Sequence, residues 1–206
     1  MRKRKTGYIL LALLVITGFA GTYHSSLSKK ERKTAISYLK ETRNLFLNSV
    51  KDLTNAQLDY KPAPETWTIR QCMEHIALAE KNISEMALNN LLQPADPAKR
   101  RETKIKDEEI IKLITTATQK ESGSEFLQPV SASFKQTGNE IDDFKVLREK
   151  NIKFLKTTTA DLRNHFLQYP SLGLVDNYQF LLMMAAHTRR YTIQIEEIKS
   201  SPDFPK

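Results

Sequence analysis

The sequence predicts an all-α fold, a bundle of four long helices in which the second and third are joined by a long crossover. Three observations carry this. Apolar side chains recur at three-and-four spacing in four separate segments, which is the period of a helix face. Two of those segments open on capping boxes, Thr68 with Gln71 and Asp176 with Gln179. There the first side chain accepts from first-turn N–H groups and the second reaches back to the cap. Finally, no strand-like alternation runs for a useful length anywhere in the chain.

The first long helix is expected over Lys29 to Val50, where Ala35, Ile36, Leu39, Thr42, Leu45, Phe46, Ser49 and Val50 share a face. Pro62 and Pro64 forbid helix in the connection LTNAQLDYKPAPETW, and Trp67 closes it as a loop anchor. The second helix starts after Thr68 and runs to about Leu92 on a stripe of Ile69, Cys72, Met73, Ile76, Ala79, Ile83, Met86 and Ala87. His75 lies on the flank of that stripe, with Gln71 and Asn82 near it on the helical wheel.

Pro94 and Pro97 stop this helix, and a polar, basic connection follows with one short amphipathic helix, Asp107 to Ala117. A third long helix, Asn139 to Lys156, buries Ile141, Phe144, Leu147, Phe154 and Leu155. Pro170 and Gly173 punctuate the approach to the last helix, Asp176 to Lys199. Its first half carries two adjacent apolar stripes, so it must be covered on more than one side and the other helices pack around it. His187 and Tyr191 share one of those stripes with Phe180 and Met184. The crossover makes this a bundle whose helices do not simply alternate in direction.

Residues 1–20 read as an export signal. MRKRK is a basic n-region, Tyr8 to Phe19 is an apolar run of about a dozen residues, and Gly18 and Ala20 place small side chains before a cleavage point. The run is shorter than the ~20 residues of a spanning helix, which favours cleavage, with a short membrane anchor as the alternative. Residues 21–28 form a tether that holds His24, and one domain occupies 29–203. The single cysteine, Cys72, allows no intrachain disulfide and reads as a small buried residue.

The formal charge is +8, but Arg2, Lys3, Arg4 and Lys5 contribute to it from the leader. Without them an excess of about four charges remains, too mild for a phosphate-binding surface, so no nucleic-acid partner is expected. Candidate chemistry rests instead on His75 and His187, which stand on two different long helices and can both face the interior. Zinc or nickel accepts imidazole nitrogens at about 2 Å, and position i+4 from His187 is the natural third ligand. It is Tyr191, whose neutral phenol is a weak ligand. On the residues alone, such a histidine pair is more often polar filling or partly exposed surface.

The phrase KPAPETWTIRQCMEHIALAE resembles the first signature of the DinB-like superfamily, and LGLVDNYQFLLMMAAHTRRYTIQIEEIKSSPDFP resembles its C-terminal one. The resemblance runs from about Ser28 to Pro205. It implies a four-helix bundle with crossover topology, related to metal-dependent hydrolases and thiol transferases, and in many members a divalent metal held by three histidines. The first of these maps to His75 and the second to His187. The third maps to Tyr191, where the family's His-x-x-x-His is broken, so a divalent metal (Zn or Ni) is expected to bind weakly or not at all. The implied function is an exported small-molecule-binding protein or metal-dependent hydrolase or transferase, with a metal-bound water or a substrate thiol as nucleophile if it is active. The alternative is a non-catalytic binding or scaffold module. The expected partner is a small molecule, with membrane contact only through an uncleaved leader; the reading allows a homodimer.

Overall fold

The computed structural model describes residues 27–117 and 139–206; the segment expected to be an export signal, His24 and the expected tether up to residue 26 lie outside the described residues. α1 (Lys29–Ser49) starts at a capping box in which Ser28 accepts from the Glu31 N–H and Glu31 accepts from the Ser28 N–H. α2 (Asn55–Leu58) is one turn, capped by Thr54 and Gln57, within the connection from α1 to the next long helix. α3 (Ile69–Asn90) and α6 (Asn177–Lys199) begin at the expected caps, Thr68 with Gln71 and Asp176 with Gln179. α4 (Asp107–Thr116) and α5 (Glu140–Thr157) complete the helices of the described residues, apart from a short 3₁₀ turn at Pro97–Arg101.

α6 is the axis. It packs against α1, α3 and α4, while α5 packs against α1 and α3 from the opposite side. Every residue from Asn177 to Thr188 is buried, because α4, carried in the crossover, covers the face that the bundle leaves open. A bundle helix ordinarily buries a single stripe; the doubled stripe in the sequence marks the extra partner. One apolar cluster surrounds the first half of α6, with Leu39, Ile83, Ile110, Leu155 and Leu182. A second gathers Phe46, Ile69, Cys72, Ile76, Phe144, Tyr191 and Ile195 around its second half. Phe46 and Phe144 meet there edge to face at 4.9 Å.

Three sequence expectations need correction. A two-stranded antiparallel sheet, β1 (Phe166–Tyr169) with β2 (Gly173–Asp176), precedes α6 and pairs Phe166 with Asp176 and Tyr169 with Gly173. Its four-residue strands are too short to show alternation, and Gly173 at φ 76° supplies the left-handed residue after the Pro170–Leu172 loop. The buried face of α5 is Phe144, Arg148, Asn151, Ile152 and Leu155, with Ile141, Leu147 and Phe154 only half-buried. Leu45 on α1 is exposed.

Polar contacts hold the chain ends. Arg163 pairs with Glu31 at 2.6 Å, Asp107 at 2.7 Å and Asp176 at 2.9 Å, joining the first turns of α1, α4 and α6. Its guanidinium also lies 4.0 Å over the Tyr178 ring. His165 sets Nδ1 2.6 Å from the Asp161 carbonyl and Nε2 3.0 Å from the Gln93 carbonyl. It pins the hairpin approach to the end of α3.

Candidate functional site

His75 sits on the second turn of α3, and His187 is midway along α6, which packs directly on α3. Each stands on a buried face of its helix, and their rings meet inside the bundle. His75 is 6% and His187 1% exposed, and their Nε2 atoms are 3.1 Å apart. Tyr191, one turn beyond His187, packs its ring 4.4 Å from the His75 ring and 4.7 Å from the His187 ring, centroid to centroid. The three residues singled out in the sequence therefore converge.

Trp67 is more than a loop anchor. Its ring stacks on Tyr191 at 5.5 Å and meets His75 edge-on at 5.1 Å, closing the cluster from the side of the proline-rich connection. Gln71 belongs to the Thr68 cap, where its Oε1 accepts from the Thr68 N–H at 2.9 Å. It is exposed and committed, not a substitute ligand. Asn82 lies farther along α3 beside Met86, Tyr169 and Phe180. Cys72 is fully buried, and burial pushes its thiol up to about 12, so it is no nucleophile at neutral pH.

Both imidazoles are held neutral. Burial first, and the Arg190 cation next, push His75 down to about 4 from the ordinary 6.5. Burial, then His75, Arg190 and Arg148, hold His187 well below that value. One neutral ring then donates Nε2–H and the other accepts. Burial raises the Tyr191 phenol, which keeps its proton.

A consequence for stability follows. As pH falls below 6.5 the unfolded chain takes up protons on both histidines while the folded chain resists, so this contribution is full above about 6.5 and is lost toward 4. His75→Gln should remove part of the acid loss, on the order of 2 to 3 kcal/mol, when denaturant melts near pH 7.5 and near pH 4.5 are compared with wild type.

What sequence reasoning missed lies next to the pair. Arg148 is fully buried; its Nε and Nη2 donate to Glu80 at 2.8 and 2.7 Å, and further bonds reach Thr42, the Leu39 carbonyl and Thr188. Asn151 donates to Glu80 at 2.9 Å and Ser84 at 2.7 Å. This network ties α1, α3, α5 and α6 together beside His187, and so fixes the register in which His75 and His187 meet. The signal was present: Glu80 continues the Met73, Ile76, Ile83, Ala87 stripe, and Arg148 continues Ile141 and Phe144. Charges inside apolar stripes are paired when buried.

Two imidazole nitrogens 3.1 Å apart can each reach a cation at about 2 Å, so two of three nitrogen ligands have suitable placement. The third does not. The phenol ring fills the position where an imidazole nitrogen would stand and retains its proton, and among the described residues no group of three His, Cys, Asp or Glu side chains gathers to hold a metal. The donors present do not fit a resident divalent cation.

A family model described as the DinB superfamily matches residues 38–195. The uncharacterized protein YuaE of Bacillus subtilis (strain 168) is 25% identical over 166 residues, covering 80% of this chain and 96% of its own. A solved structure of YfiT from Bacillus subtilis, described as a probable metal-dependent hydrolase with an unusual four-helix bundle topology, matches with a TM-score of 0.55 at 18% identity. That match covers 85% of this chain and 89% of YfiT. Its likeness is one of fold.

Proposed function

We propose, for a chain that belongs to the DinB superfamily, that it is an exported small-molecule-binding protein in which the superfamily's metal site is reduced to a neutral histidine pair closed by Tyr191 and Trp67. The observation that carries this reading is Tyr191 at the i+4 position from His187. A buried phenol with a raised pKa replaces the nitrogen donor, and it contributes an aromatic wall instead. The two Nε2 atoms bond each other, and Trp67, which stacks on Tyr191, also lines a neighbouring cleft of about 600 Å³ where its apolar face can orient a small molecule. The basic leader and apolar run support export, and the mild charge excess argues against a nucleic-acid partner.

A second reading, a metal-dependent hydrolase or transferase, draws support from the 3.1 Å spacing of the two Nε2 atoms and from the description of YfiT. Thermal melts separate the two, because a ligand that binds only the folded state raises the midpoint. Saturating zinc or nickel should move the wild-type midpoint by no more than about 1 °C. A shift several times larger would favour the metal enzyme.

A further inference from the structure

We propose that Arg190 is an anion receptor, and that the cleft beside it binds a small molecule carrying one carboxylate on an apolar body. The inference rests on the small-molecule reading above and names the ligand class. The cleft has a volume of about 600 Å³ and lies outside the histidine pair, between the proline-rich connection, the end of α4 and the second half of α6. Pro62, Trp67, Ile193 and Ile198 give it apolar walls. Trp67 belongs to both places, since its ring also touches His75 and Tyr191.

Arg190 lines this cleft while only 8% exposed. The other two well-buried arginines are saturated: Arg148 by Glu80, and Arg163 by Glu31, Asp107 and Asp176. Among the described residues Arg190 has no ion pair or hydrogen bond, only the Tyr191 ring at 5.1 Å from its guanidinium carbon. A buried guanidinium without acceptors is costly, and a carboxylate matches its planar fork with two parallel bonds. The positive field of Arg190 also falls on His75 and His187. A bound carboxylate would offset it.

The charge count selects the anion. One guanidinium faces the cleft, and so does one carboxylate, the exposed Glu197. A second negative charge on the ligand, as in a phosphate monoester, meets no second cation in the cleft and adds repulsion from Glu197, so the single carboxylate that fits the Arg190 fork is favoured.

Trp67 is the chain's single tryptophan and reports on the cleft directly. The full-length protein is titrated with phenylacetate, its neutral analogue phenylacetamide, and the dianion phenyl phosphate, following Trp67 emission, with and without a chelator. Phenylacetate should give a saturable response, with the amide and the phosphate about tenfold or more weaker. Arg190→Gln should bind phenylacetate about tenfold or more weakly and melt no lower than wild type, since it removes an unpaired buried charge. Arg190→Lys, which keeps the charge without the fork, should fall between. No saturable response, or equal affinity for acid and amide, would overturn the anion assignment alone. A much lower midpoint for Arg190→Gln, with Arg190→Lys binding as wild type does, would make Arg190 structural and overturn it too. Binding that vanishes with chelator yet persists in Arg190→Gln would sink both this inference and the metal-free reading.

Discussion

Tyr191→His should yield a protein that retains close to one zinc or nickel per chain after dialysis. The substitution places a nitrogen donor one helical turn from His187, on the face where the Tyr191 ring now packs against both imidazoles. The other two donors are already close together, with Nε2 atoms 3.1 Å apart, and neutral, the form that binds metal. The smaller ring gives up the Trp67 stack, at a cost of about 1 kcal/mol, so the variant without metal should melt slightly lower. With metal in large excess over its Kd the midpoint should rise by about 10 °C. His75→Ala in the same background should abolish both the retained metal and the shift. A variant that folds and still takes up none would mean that α3 and α6 do not present the pair as described.

Arg148→Leu should destabilise the fold by about 3 to 5 kcal/mol, because it leaves Glu80 as an unpaired charge at the centre of the bundle. Glu80→Leu alone should cost a similar amount by stranding Arg148. The double variant should recover most of the loss, since a buried pair replaced by apolar side chains of similar size is often neutral. Denaturant melts of the three variants read this out. If the double variant is as unstable as either single one, the bonds from Arg148 to Thr42, Thr188 and the Leu39 carbonyl carry the stability instead.

The helices were legible because their signals are local. Thr68 with Gln71 and Asp176 with Gln179 cap α3 and α6 as read, and the two stripes on α6 correspond to its burial on all sides from Asn177 to Thr188. His187 and Tyr191 were readable as neighbours by their i, i+4 spacing, and the meeting of His75 with them followed from the family resemblance. The hairpin was not legible, since four-residue strands carry no periodicity of their own. Nor was the Glu80–Arg148 pair, whose partners stand 68 positions apart. A lone charge in an apolar stripe gives no hint of where its counter-charge lies. Arg190 was hidden for another reason: its meaning depends on having no acceptor among the described residues, and only the folded arrangement shows that.

The central claim is that Tyr191 has taken the place of a nitrogen ligand and left the site without a resident metal. Elemental analysis of the purified wild-type chain, after dialysis against metal-free buffer without chelator, tests it most directly. The account predicts zinc plus nickel far below one equivalent per chain. One full equivalent, lost on His75→Ala or His187→Ala, would contradict it and assign Tyr191 to the metal as a phenolate.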